Sequence, residues 1–220
     1  MVFAIGLRYA SAMNQPAGKQ EQKSERARKV ICEATVACLA DLGYSETSIN
    51  RVVEQAKVSK GALQYHFPSK EDLMASTATY LLARPIEHAE RDTSPDVRRR
   101  LLAIWDQLTN TRAYLALLEI LIASRTDKVL HTRIAAGLKA SIRDIDEHFL
   151  PFYNTLEDPE RDDVLMLMTA NRCLMRGLLI ESQYGLGKAR QRQVLERWFD
   201  LLEPALLAKL ESETTSGERL

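Results

Sequence analysis

The chain has 220 residues, 45% of them hydrophobic, with only nine glycines and seven prolines. That composition excludes a turn-rich all-β sandwich and a disordered chain, and leaves ample length for a large core. Formal net charge is zero, which argues against a partner held by bulk charge alone.

The charge is unevenly spread: residues 1–70 hold ten Lys/Arg against six Asp/Glu, and residues 71–220 hold twenty against twenty-four. Cys32, Cys38 and Cys173 form no CxxC pair and have no histidine at ligand spacing. Neither a zinc site nor a disulfide framework follows, and a reduced cytoplasmic setting is expected, with no cofactor and no metal. No apolar run reaches the roughly 18 residues of a membrane span, so no membrane partner is expected. The opening VFAIGL is too short for the apolar core of a signal sequence. Residues 1–22 read as an unstructured tail, within which either Met1 or Met13 serves as the start of translation.

From Arg26 a helical beat begins, with Ala27, Ile31, Ala34, Cys38 and Leu42 on one face. Gly43 supplies the permissive conformation that closes a helix, and Thr47 is the expected N-cap of the next. Ile49, Val52, Val53 and Ala56 make that helix a short amphipathic one. Val58 then anchors a turn, Ser59 caps a further helix, Leu63 and Phe67 at i, i+4 fasten it inward, and Pro68 ends it. Ser69 and Asp72 resemble a capping box for a helix running through Leu73, Met74 and Tyr80 to about Arg84, before Pro85.

Beyond Pro85 long helices are expected over 95–109, 112–124, 127–150, 159–184 and 188–210. Gly185 and Gly187 separate the last two as a hairpin, and the tail SETTSGERL should fray. Two short helices joined by a tight turn are how a helix-turn-helix reader of DNA looks in sequence. The fold class is therefore all-α: a three-helix DNA-binding domain over 23–70 and a larger helical domain over 71–210. Residues 71–84 connect them, and 211–220 form a frayed tail.

The string GYSETSINRVVEQAKVSKGALQYHFPSKEDL, residues 43–73, resembles the N-terminal domain of TetR-family transcriptional regulators. The match extends from about Arg26 to Leu73, roughly a quarter of the chain. Two departures stand out. The family usually has glycine where this chain has Lys57, so a residue with a Cβ is expected in a left-handed conformation at about 1 kcal/mol. Gln64 stands where the family generally has a phosphate-binding tyrosine.

The resemblance implies a set of DNA contacts. Thr47 and the amides beginning its helix would hold a phosphate. Ser59, Lys60, Gly61 and Ala62 would open the recognition helix toward base edges. Gln64, Tyr65 and His66 would touch phosphate or base, and Lys70 would clamp a phosphate. It also implies a C-terminal domain that binds a small-molecule effector and forms a homodimer on a pseudo-palindromic double-stranded operator, most often as a repressor. Under that reading Trp105, Tyr114, Leu118, Ile122, Met168, Asn171, Arg172, Met175 and Arg176 are candidate ligand-binding residues, ordinary core being the alternative for each. Arg172 and Arg176 would pair with a ligand carboxylate, or with Glu119 or Glu181.

Apolar residues on the last two helices, from Val164 to Leu179 and from Val194 to Leu206, exceed what the pair can cover and point to a four-helix dimer interface. Asp144, Asp146, Glu147 and His148 read as an acidic helix end, since nothing completes a metal site. No Ser/His/Asp order, Gly-rich phosphate loop or HExxH string gives catalysis a foothold, so an enzyme is not expected. The other reading left open is a DNA-binding interaction protein whose C-terminal domain takes a protein partner and no small ligand.

Overall fold

Hydrophobic beats of three and four residues run through nearly every segment, and helices are what that spacing buries most efficiently. The computed structural model of the chain describes residues 18–89, 96–149 and 158–216, and these form helices with no strand among them. We label them α1 (Lys19–Glu46), α2 (Ile49–Ala56), α3 (Lys60–His66), α4 (Lys70–Ala89), α5 (Val97–Ala103), α6 (Arg112–Ser124), α7 (Lys128–Phe149), α8 (Asp158–Ser182) and α9 (Lys188–Ser216). A π-helical segment, Ile104–Thr109, continues α5 and closes with the Asn110 amide on the Trp105 carbonyl at 2.7 Å.

Three clusters of buried side chains organise the chain. Ile31, Cys38, Val52, Leu63, Phe67 and Leu73 unite α1–α3 and the start of α4. Leu39, Met74, Ala78, Leu81, Ala116, Ile120 and Leu130 join α1 and α4 to α6 and α7. Val97, Leu101, Trp105, Met168, Met175, Leu195, Phe199 and Leu202 join α5 to α8 and α9. α1 is therefore shared: one end of its buried stripe serves the three-helix head and the other serves the body.

Several boundaries differ from the sequence expectation. α1 starts at Lys19, ahead of the beat at Arg26 and inside the expected tail, because its first turns are exposed and need no apolar stripe. Gly43 breaks α1 as expected, at φ +75°. α4 does not stop before Pro85 but runs to Ala89. Proline takes away only the amide that Leu81 would have received. Long packing against α7 holds the helix across that gap, and buried Ser141 donates to the Leu82 carbonyl at 3.0 Å. α5 is capped by Asp96, whose carboxylate accepts from the Arg99 amide at 2.9 Å. The expected start at Pro95 lies outside the described residues. α9 continues past 210 to Ser216, into the segment expected to fray; residues 1–17 and 217–220 of the two expected tails are outside the described residues.

The α8–α9 hairpin turns at Gly185, φ +99°, and the Gln191 side chain donates to the Leu186 carbonyl at 2.6 Å. Most of the apolar residues expected to form an interface lie inside the subunit instead. Val164, Met168, Leu178, Leu195, Phe199, Leu202 and Leu206 are buried against Val97, Leu101 and Trp105 of α5 and its π extension. Part of the apolar excess assigned to a symmetry mate is covered within the subunit, because α5 lies across α8 and α9. No helix among the described residues is long and apolar enough to cross a membrane.

Candidate nucleic-acid interface

α2 and α3 are too short to be stable alone, so their placement comes from caps and core. Ser48 caps α2, its hydroxyl accepting from the Arg51 amide at 3.3 Å. Thr47, the expected cap, is fully buried and turns the other way, donating to the Gly43 carbonyl at 2.7 Å. The Thr47 hydroxyl is thus spent on the backbone at the Gly43 break. A phosphate contact from the Thr47 side chain is thereby ruled out in this geometry.

The turn between the helices is made by Lys57 at φ 54°, ψ 40°, the left-handed conformation expected there. Its amide reaches back to the Glu54 carbonyl at 3.2 Å and the Val58 amide reaches the Val53 carbonyl at 3.3 Å, closing the end of α2. Ser59 then caps α3, accepting from the Ala62 amide at 3.1 Å. Ser69 accepts from the Asp72 amide at 3.0 Å and donates to the Asp72 carboxylate at 2.7 Å, so the expected box forms through the hydroxyl.

Leu63 and Phe67 sink α3 into the head core, both essentially inaccessible. The opposite face is open: Ser59, Lys60, Gly61, Ala62, Gln64 and Tyr65 are all exposed, Tyr65 at 82%. A Cβ placed on Gly61 would meet nothing within 4 Å. The backbone there is free to approach a flat surface closely. The Tyr65 and His66 rings meet edge to face at 5.1 Å, and His66 is half-buried.

Lys70 is placed differently from expectation. Its ammonium donates to the Tyr44 carbonyl at 3.0 Å and lies 4.4 Å from the centre of the Tyr44 ring. Burial pulls its pKa below the ordinary lysine value, with Glu71 offsetting part of that. An ammonium already held by a carbonyl and a ring serves the α1–α4 junction before it serves a phosphate.

Arg28 was missed by the sequence reading. Its guanidinium donates to the His66 carbonyl at 3.1 Å and sits 4.6 Å above the Phe67 ring, closing the C-terminal end of α3 from α1. Only the separation of 38 residues hid it; the residue type is the usual one for a carbonyl and a ring face together.

Residues 31–77 match the family model described as bacterial regulatory proteins, tetR family. The match covers the N-terminal helices alone, and there the chain is similar to TetR-family regulators. A helix-turn-helix transcriptional regulator of Mycobacterium bovis is 31% identical over 116 residues, covering 50% of this chain and 60% of that protein. The chain thus spans about three fifths of that relative's length. A transcriptional regulator from Rhodococcus sp. RHA1 superposes with a TM-score of 0.64 at 17% identity, over 80% of this chain and 95% of that one. A regulator from Saccharomonospora viridis, solved in complex with choline, superposes with a TM-score of 0.60 at 19% identity, over 81% of this chain and 96% of that one. At those identities the structures establish the fold alone.

The candidate ligand residues separate in the structure. Trp105, Met168, Asn171 and Met175 lie together in the α5–α8–α9 core. There the Trp198 indole donates to the Asn171 side-chain oxygen at 3.0 Å, and Thr109 and Asn171 both reach the Met175 sulfur at 3.9 Å. Tyr114 and Arg176 form a pair, the guanidinium donating to the phenol oxygen at 2.8 Å. Leu118 is buried on α6.

Ile122 is 59% exposed and faces away from the interior, since the apolar run of α6 wraps the whole helix but only one side is covered. Arg172 donates to Thr169 at 2.8 Å. The Glu119 partner expected for the arginines is committed elsewhere, accepting from the Tyr44 amide. A shallow cleft of about 410 Å³, lined by Lys128, Val129, Thr132 and Arg133, includes none of the candidate residues. The side chains of Asp144, Asp146, Glu147 and His148 lie outside the described residues. Among the described residues no group of three His, Cys, Asp or Glu side chains gathers at metal distance.

Proposed function

We propose that this chain is an effector-responsive transcriptional regulator that binds a pseudo-palindromic operator as a homodimer in the cytoplasm, acting as a repressor released by a small molecule. One observation carries the DNA-binding half: α3 is clamped by Leu63 and Phe67 on one side and bares Lys60, Gly61, Gln64 and Tyr65 on the other. A helix fixed in the core yet open along one face is what entry into a major groove requires.

Dimerisation is supported by the apolar side chains that α8 and α9 leave uncovered, Met166 at 65%, Ile180 at 43% and Leu201 at 70%. A two-fold pair would present two recognition helices roughly 34 to 40 Å apart, one helical turn of duplex or slightly more. Effector binding is supported by the mix of polar and apolar side chains packed around the π segment. Asn171, Thr109 and the Tyr114–Arg176 pair put isolated polar groups among buried aromatic and methionine side chains. π segments recur at functional sites, and a few polar groups in an apolar setting are how small-molecule sites fix orientation.

The test is selection of duplexes from a random pool by the purified chain, followed by sedimentation and release assays. A selected inverted repeat, bound at two subunits per duplex, is the expected result, and a non-palindromic or monomeric complex overturns the dimer. Choline, the molecule held by the Saccharomonospora viridis regulator, is one compound for the release screen. A C-terminal domain that takes a protein partner instead would leave the complex insensitive to every small molecule tried while a bound protein displaces it.

A further inference from the structure

The head is joined to the body by α4, but α4 is not its only tie. At the break in α1, Glu119 from the middle of α6 accepts from the Tyr44 amide at 2.9 Å. The approach is close: a Cβ at Gly43 would lie 3.2 Å from the same carboxylate oxygen. Glycine thus serves two needs at one position, the φ of +75° and the room for Glu119. On the other side of the same residue, Lys70 of α4 donates to the Tyr44 carbonyl at 3.0 Å and rests on the Tyr44 ring.

One residue, Tyr44, is therefore gripped by α6 through its amide and by α4 through its carbonyl and ring. Three residues further along, Thr47 and Ser48 begin the helix-turn-helix. Two ion pairs lie on the same seam, Arg112 of α6 with Asp41 of α1 and Arg133 of α7 with Asp72 of α4. α6 also reaches the far body, since its Tyr114 accepts from Arg176 of α8.

We infer that Glu119 is a positioning residue for DNA reading: by holding the Gly43–Tyr44 corner against α6 it sets the angle of the head on the body, and hence the register of two heads on one operator. The inference rests on the two-headed operator reading above. α6 is then a second lever beside α4, with one end on Arg176 and its middle on the head. A ligand that moves Tyr114 has a path to the reading helix that does not pass through α4.

A carboxylate acceptor on a backbone amide is a charge-assisted bond, but the surrounding α1–α6 packing would survive its loss. Glu119→Ala removes the acceptor, and Glu119→Gln keeps an oxygen in reach of the Tyr44 amide. The full-length chain is measured against three duplexes: the inverted repeat selected by the wild-type chain, a single half-site, and an unrelated sequence.

Head geometry matters only when two heads must land together. Glu119→Ala should therefore lose about tenfold or more on the full site while half-site and unrelated-duplex affinities stay within about twofold, with Glu119→Gln restoring most of the loss. Full-site affinity unchanged in Glu119→Ala overturns the inference. So does equal loss on full and half-sites, which would make Glu119 merely a support of the head's own fold, and a lowered melting temperature would accompany it. A wild-type chain that binds full and half-sites alike overturns the two-headed reading itself, and that result appears before any substitution is made.

Discussion

Arg28 caps α3 from 38 residues away: its guanidinium donates to the His66 carbonyl at 3.1 Å and lies 4.6 Å over the ring of Phe67. The last carbonyls of a helix have no internal partner, and a planar cation fits both the carbonyl and the ring face. Arg28→Ala should cost about 1 kcal/mol of stability and several-fold in specific DNA affinity, because the C-terminal end of α3 is left untied. Arg28→Lys should recover the charge but not the geometry. Chemical unfolding and anisotropy titration on the selected duplex measure the two effects; a lysine variant equal to wild type would reduce Arg28 to a phosphate-attracting charge.

Lys60 and Tyr65 are exposed in the free protein, Tyr65 at 82%. Alanine at either position should leave helicity and melting unchanged while removing most DNA affinity. The two should differ in salt: loss of a lysine–phosphate contact lowers the slope of log affinity against log salt by about 1, and loss of an aromatic contact leaves it alone. Titrations at three or four salt concentrations separate them, and identical slopes would return both contacts to the same class.

Lys57 occupies the left-handed region at φ 54°. Lys57→Gly should raise stability by up to about 1 kcal/mol by relieving the crowded Cβ, less whatever the more flexible unfolded chain takes back. DNA affinity should fall in the same variant if the exposed ammonium meets a phosphate. Stability and affinity moving in opposite directions is the expected signature, read from urea unfolding and duplex titration.

Burial pushes the Cys32 thiol above its ordinary value near 9.0, with Thr77 and Arg28 pulling back and Glu33 adding to the rise. Burial does the same to Cys38, with Asp41 adding and Arg51 opposing. The unfolded chain sheds these protons near pH 9.0 while the folded chain keeps them, so the stability is fully present below that pH and drains away as pH rises through the folded values. Unfolding midpoints should fall between pH 8 and 10, and replacing both cysteines by alanine should flatten that fall. A thiol reagent at pH 8 should leave both untouched until the chain unfolds, whereas exposed Cys173 is accessible in the subunit.

The head was legible because its signals are local. Ser59, Val58, Leu63, Phe67 and the left-handed Lys57 each act within a few residues, and the structure puts each where the pattern implied. The long helices were legible from periodicity. Periodicity does not say what covers a stripe, so α8 and α9 read as an interface although α5 and Trp105 fill most of it.

Errors cluster where the folded chain offers a side chain a partner that the local pattern does not show. Thr47 looked like a cap until the broken end of α1 offered it the Gly43 carbonyl. Pro85 looked like a stop until α7 packed along α4. Lys70 looked free until Tyr44 came within reach. The Arg28 and Glu119 contacts join residues 38 and 75 apart in sequence, and no spacing rule reaches that far.

The π turn at Ile104–Thr109 carries one residue more than an ordinary turn would. Deleting a single codon there would let the ladder heal into a regular helix with both flanks still in phase, because the wide turn absorbs its extra residue locally. Val97 and Leu101 would keep their place in the core with Phe199 and Leu202. The same deletion inside α5 would instead rotate Val97 by about 100° away from that core.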